Sequence, residues 1–331
     1  MFELKNFIKI WAGLALIGSM LAACQGTNNP TPGTTPDAAA EEPITLKIAV
    51  LPILDALPMY VADPEGVFAA HKINVSFIAA ASAAERDQII AAGQADGMIN
   101  ELVSTVLYNK DQVQVQVVRF ARVATEQYPQ YYILASQKSG ITDPAGFKGV
   151  AIGISQGTVI EYVTERLLQA EGLTSDDIKT IAVPKIPDRM ALLSSGEVQG
   201  ATMPDPLSLL ALQQGAILVL DDTRHPEYSY STIAFRKEII DKYPDGIRNF
   251  LLAIEEATAK INADQSKWAN LLTEKKLVPE SLAGDYQLPT FPAAGVPSEE
   301  QWNDVIAWAK EKGLLTKDIS YADSVTVRFL P

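Results

Sequence analysis

Glu85-Arg86-Asp87-Gln88-Ile89-Ile90-Ala91-Ala92-Gly93-Gln94-Ala95-Asp96-Gly97 decides the fold, because a version of it returns 103 positions later. The second copy is Asp188-Arg189-Met190-Ala191-Leu192-Leu193-Ser194-Ser195-Gly196-Glu197-Val198-Gln199-Gly200. Each opens on an acid–arginine pair, carries two adjacent large apolar residues and closes on G-x-x-x-G before a short apolar run. The first glycine of each suits the residue after a helix C-terminus, and the second suits the turn into a strand.

The match extends upstream. Leu46 to Leu51 corresponds to Gly149 to Ile154, each an apolar strand that leads through a loop into a helix. Those helices stop at Glu65-Gly66-Val67 and Glu171-Gly172-Leu173, and the next strands are Asn74 to Ile78 and Lys179 to Val183. Two β-α-β-α-β units in one order read as a duplication, and each implies a parallel sheet with helices on both faces. Val113 to Phe120 and Tyr131 to Ser136 read as strands leaving the first lobe for the second, and Ser231 to Arg236 as the return. The apolar stripes Phe250-Leu251-Ile254 and Trp302-Val305-Ile306-Ala309 predict helices that cover the first, larger lobe. The expected class is therefore α/β and two-lobed, with residues 44–132 and 232–331 in the larger lobe and 133–231 in the smaller. Ligands of such sheets sit outside the carboxyl ends of the strands, which places a cleft between the lobes.

Composition narrows the function. A net charge of −13 and a pI near 4.7 argue against nucleic acid, which needs a basic face. Two histidines, His71 and His225, and the single Cys24 leave little for a metal site or a His-based catalytic centre. No metal, cofactor or catalytic residue is expected, and the reading is of a protein that is not an enzyme.

The N-terminus supplies an address. Lys5 and Lys9 precede the apolar stretch Ile10 to Ala23, too short to span a bilayer but suited to a signal-peptide core. Leu21-Ala22-Ala23-Cys24 resembles the bacterial lipobox, which implies cleavage at 1–23 and acylation of Cys24. Residues 24–43 contain no Val, Ile, Leu or aromatic residue before the body begins, so they read as a flexible tether. The expected location is the extracytoplasmic side of the cell membrane, through a lipid anchor.

From about Ile44 to the C-terminus the chain resembles the substrate-binding proteins of ABC importers for thiamine precursors, aliphatic sulfonates, nitrate and riboflavin. The resemblance rests on Leu54-Asp55-Ala56-Leu57-Pro58-Met59-Tyr60, Ala62-x-x-x-Gly66-Val67-Phe68 and Ala92-Gly93-Gln94-Ala95-Asp96. Gly153-Ile154-Ser155-Gln156-Gly157-Thr158, Leu193-x-x-Gly196-x-Val198-x-Gly200 and Asp205-Pro206-Leu207 continue it in order. It implies a two-lobed protein that closes on one small molecule and hands it to an ABC permease and its ATPase. Within the family the Asp-Ala-Leu-Pro-x-Tyr loop and the tyrosines resemble the branch for planar heterocyclic vitamins, riboflavin first and a thiamine-type pyrimidine next. A sulfonate or nitrate ligand, or a ligand-sensing lipoprotein without transport, are the alternatives; a pyrimidine synthase-like enzyme is disfavoured.

The candidate ligand residues follow from position. Asp55, Leu57 and Tyr60 lie just past the first strand, where Asp55 either caps a helix or accepts a ligand N–H. Asn100 and Glu101 follow the strand after Gly97, and Asp205 lies in the equivalent segment of the second unit. Ser155, Gln156, Gly157 and Thr158 sit at a strand-to-helix junction, suited to an acceptor group or to an ordinary cap. Of Tyr128, Tyr131, Tyr132, Tyr228 and Tyr230 at the crossovers, Tyr131, Tyr228 and Tyr230 are the favoured stacking surfaces. Tyr131 and Tyr132 cannot both face the cleft, because a strand alternates its faces. Arg119 and Arg122 would pair with an anionic ligand if one is bound.

Overall fold

The computed structural model describes residues 43–331. The leader, Cys24 and nearly all of the tether lie outside the described residues. The first unit runs β1 (Ile44–Val50), α1 (Leu57–Ala62), α2 (Val67–Ala70), β2 (Ile73–Ala79), α3 (Ala83–Ala91), β3 (Gly97–Asn100) and α4 (Leu102–Asn109). Then β4 (Val115–Val123) ends the first sheet's outward run, and β5 (Tyr131–Ala135) opens the second. The second unit is β6 (Ala151–Ile154), α5 (Val159–Ala170), β7 (Lys179–Ala182), α6 (Ile186–Ser195), β8 (Gly200–Pro204), α7 (Leu207–Gln213) and β9 (Ile217–Asp221). The chain returns on β10 (Tyr230–Arg236), followed by α8 (Lys237–Lys242), α9 (Pro244–Ala263), α10 (Ala269–Glu274), α11 (Glu299–Glu311) and α12 (Tyr321–Ser324).

The duplication is visible in the sheets. Their strand orders are β2-β1-β3-β10-β4 and β7-β6-β8-β5-β9, so each strand has a counterpart in the same place. Within each sheet the unit's own three strands pair in parallel. The strand arriving from the other lobe is antiparallel to both neighbours, β10 in the first sheet and β5 in the second. The expected mainly parallel sheets are present, each a parallel core with one reversed strand. A strand that crosses from the opposite lobe enters at the carboxyl edge, so it can only run backwards.

The repeat glycines do what their positions require. Gly93 and Gly196 have φ of 67° and 80°, left-handed values that end α3 and α6 at low cost only in glycine. Gly97 and Gly200 open β3 and β8, and a Cβ at Gly200 would lie 2.3 Å from Phe147 Cε1. Close packing against an aromatic edge fixes both positions.

The helices of 241–274 pack on the first lobe, where Phe250, Leu251 and Ile254 join Leu46, Ile48 and Phe68 in one core. The last long helix departs from expectation. Trp302, Val305, Ile306 and Ala309 of α11 lie in a core shared by Met98 and Val103 of the first lobe and Ile152, Ile160 and Leu167 of the second. Trp308 Nε1 donates to Glu165 on α5 at 2.7 Å, and Asp304 accepts from Tyr162 and Arg166 of the same helix at 2.7 and 2.9 Å. Helix α11 therefore straps the two lobes together behind the cleft.

Candidate functional site

The strand ends of both parallel cores converge on one narrow cavity of about 50 Å³ that opens to solvent. The first lobe contributes Leu51, Ile53 and Asp55 after β1, Ser82, Ala83 and Arg86 at the start of α3, and Ile99, Asn100 and Glu101 at the end of β3. The second lobe contributes Ser155 after β6, Val159 and Ile160 of α5, Pro184, Ile186 and Arg189 after β7, and Pro204 at the end of β8. Tyr131 and Ser231, the entry points of the two crossing strands, complete the wall. The mixture of apolar lining and a few fixed polar groups suits a small organic ligand.

The first-lobe wall is internally satisfied. Arg86 is 3% exposed and donates to Asp87 through Nε (2.9 Å), to the Ile99 carbonyl through Nη1 (3.2 Å), and to Glu101 and Ser104 through Nη2 (3.1 and 2.6 Å). Burial alone would depress its pKa, but Asp87 and Glu101 more than offset this and raise it. Glu101 also caps α4 by accepting from the Ser104 backbone at 3.0 Å. Asp55 accepts from Gln130 at 3.0 Å and from the Ser231 hydroxyl, and burial pushes its pKa up. Asn100 is the exception on this wall. Thr105 donates its hydroxyl to the Glu101 carbonyl, so it must accept from Asn100 Nδ2 (3.0 Å), which leaves Asn100 Oδ1 buried without a donor.

The second-lobe wall carries an open cation. Arg189 is fully buried and anchors Nη1 on the Val183 carbonyl at 3.2 Å. Its Nε and Nη2 have no acceptor, and no carboxylate among the described residues pairs with it. Desolvation lowers its pKa to about 10, which still leaves it charged at neutral pH.

Five of the sequence-predicted residues meet at the cavity: Asp55, Asn100, Glu101, Tyr131 and Ser155. Leu57 is buried in the first-lobe core, and Tyr60 packs edge-on against Phe77 with ring centroids 4.9 Å apart. Gln156 is exposed, and Gly157 and Thr158 form the entry to α5, with Gly157 N donating to Glu161 and Thr158 capping Ile160 N. Of the Ser155–Thr158 segment only Ser155 reaches the lining, so its other residues follow the capping alternative. Tyr228 stands near Tyr162, and Tyr230 packs against Phe120, neither on the cavity.

Asp205 accepts from Arg122 at 2.8 Å and from the Tyr286 hydroxyl. These three line a separate hollow with Tyr128 and Tyr132. Strand alternation thus sends Tyr131 to the cavity and Tyr132 to the other side. Arg119 and Arg122, the expected partners of an anionic ligand, are held by Glu255 and Asp205 and lie away from the cavity. Sequence reasoning missed Arg86, Arg189, Ser82 and Ser231. The two arginines were visible as the repeat's own markers, and comparing what surrounds them in each copy would have separated their roles.

Two matched lobes that share one cavity at the carboxyl edges of their sheets define a two-lobed α/β fold. The chain belongs to the NMT1/THI5-like family, whose profile matches residues 54–267. No curated protein matches it in sequence. Among solved structures it is similar to the alkanesulfonate-binding protein SsuA from Xanthomonas axonopodis pv. citri bound to MOPS, at TM-score 0.72 and 16% identity over 87% of this chain and 99% of the other. It is also similar to the periplasmic nitrate-binding protein NrtA from Synechocystis PCC 6803, at TM-score 0.67 and 16% identity over 87% of each. The desulfurization enzyme DSZB shares the fold as well, at TM-score 0.63 and 13% identity over 86% and 97% of the two chains. These identities bear on the fold; ligand and role rest on the cavity.

Proposed function

We propose that the chain captures a small organic solute between its lobes and delivers it to an ABC-type permease and ATPase at the membrane. The observation that carries this reading is the cavity itself, lined by both lobes at the carboxyl edges of their sheets. A solute there touches residues from each lobe at once, so it favours the closed state by its differential affinity for that state. The cavity wall holds no histidine or cysteine, and its one hydroxyl on an Asp55 oxygen, that of Ser231, belongs to the buried cluster with Gln130 where the strands cross between the lobes. His71 and His225 instead face Glu256 and Glu171, at 3.3 Å each.

The finer reading, a planar vitamin such as riboflavin, has one supporting ring in Tyr131, since the other four crossover tyrosines do not line the cavity. The reading carried forward is therefore capture of a small organic solute. Anchoring through Cys24 is part of the same proposal, because a lipid anchor keeps a solute-binding protein near its permease. The test is a thermal-shift screen of the full-length chain against riboflavin, thiamine, aminopyrimidines, taurine, alkyl sulfonates and nitrate. A ligand at about a hundred times its Kd adds about 2.7 kcal/mol, a shift of several degrees. A shift with one chemical class supports capture; no shift across the panel and its close analogues argues against it.

A further inference from the structure

The duplication allows the two arginines of the cavity to be compared position by position. Arg86 and Arg189 are each the fourth residue of their helices, α3 and α6. Each anchors Nη1 on a backbone carbonyl at 3.2 Å, Ile99 in one lobe and Val183 in the other. They differ in the remaining nitrogens. In the first lobe Asp87 takes Nε and Nη2 (2.9 and 2.8 Å), and Glu101 and Ser104 complete Nη2. The positions equivalent to Asp87, Glu101 and Ser104 are Met190, Pro204 and Leu207, none of which can accept a hydrogen bond from its side chain. The second copy keeps the cation and loses all three side-chain oxygen acceptors.

We infer that Arg189 grips an oxyanion of the captured solute, so that the solute is a small organic anion bearing a carboxylate, sulfonate or phosphate. The inference rests on the cavity being a solute site. A buried guanidinium without a counter-ion is costly, because desolvation is not offset by any internal pair. The nitrogens left open, Nε and Nη2, are the edge that meets an oxyanion with two parallel hydrogen bonds. Arg189 and Pro204 line the cavity from the second lobe, and Asn100 and Glu101 line it from the first. Opposite, Asn100 Oδ1 awaits a donor, so the far end of the solute carries an N–H or O–H. The oxyanion on one lobe and the donor on the other make ligand binding a bridge across the cleft.

The test uses the full-length chain and matched probes: hexanesulfonate, hexanoate and FMN against neutral hexanamide and riboflavin. Affinity is read by calorimetry and stability by thermal shift. The wild type binds at least one anionic probe more tightly than its neutral counterpart. Arg189→Met weakens that binding at least tenfold while its ligand-free midpoint equals or exceeds the wild type, since a costly charge has gone. Met190→Asp keeps the arginine but places a carboxylate where Asp87 stands in the first lobe, and it too loses the anion. Retention of anion affinity in both variants overturns the inference, as does binding of the neutral members in preference to the anions. A wild type that binds none of the panel overturns the capture reading together with it, which separates that failure from one confined to Arg189.

Discussion

Replacing Arg86 with methionine is expected to destabilise the protein severely, although Arg86 and Arg189 occupy matched places. The substitution removes hydrogen bonds to Asp87, the Ile99 carbonyl, Glu101 and Ser104. Asp87 has a side chain 29% exposed and can be hydrated, but Glu101 is 3% exposed and stays buried. Only the Ser104 backbone and hydroxyl, at 3.0 and 2.6 Å, would then serve its carboxylate. Breaking a buried pair by removing one partner costs about 3–5 kcal/mol, because the other charge is left uncompensated. Replacing both partners by apolar residues of similar volume is often nearly neutral, so Arg86→Met/Glu101→Met should regain most of the loss. Urea unfolding of the wild type, both single variants and the double gives the cycle directly. A loss under about 1 kcal/mol in Arg86→Met, or a double variant no more stable than that single, would refute the view that the first-lobe arginine is a closed structural pair.

Other expectations follow from the same contacts. Burial pushes Asp222 up to about 6, so the folded state holds its proton more tightly than the unfolded chain, with its ordinary value of 3.8. Its contribution therefore rises as pH falls from 7 through 6 towards 4, by up to about 3 kcal/mol; Asp222→Asn should flatten that part of a stability–pH profile, and an unchanged profile would contradict it. Gly200→Ala places a Cβ 2.3 Å from Phe147 Cε1 and should cost about 1–3 kcal/mol in chemical denaturation; a neutral effect would show that Phe147 can yield. Asp304→Ala removes the acceptor for Tyr162 and Arg166, so the strap from α11 to α5 should loosen and the ligand-free radius of gyration increase. Cys24→Ser should move the protein from the membrane fraction to the soluble one, and retention at the membrane would sink the lipid-anchor proposal.

The architecture was legible because a duplication writes itself twice. The glycines at 93, 97, 196 and 200 mark the same helix ends and strand starts in both copies. The reversed strands were less legible. Tyr131–Ala135 and Tyr230–Arg236 have apolar sequences that suit either direction, and only the crossing from one lobe to the other fixes their sense. The reach of α11 was hidden for a related reason: a stripe such as Trp302-Val305-Ile306-Ala309 says that a face is buried, not against which lobe. At the site, position past a strand end found Asp55, Asn100, Glu101 and Ser155. Aromatic character alone was a poor guide, since Tyr60 and Tyr230 satisfy their rings by packing on Phe77 and Phe120. The informative signal at Arg189 was the loss of its neighbours' carboxylates, which appears only when one copy is read against the other.

The central claim is that a solute is held between two lobes that close upon it. Small-angle X-ray scattering of the full-length chain, without ligand and saturated with whichever probe gives the largest thermal shift, addresses it most directly. The account expects the radius of gyration to fall on saturation, because a ligand bridging Asn100 and Arg189 favours the closed state. An unchanged radius at full occupancy would contradict it.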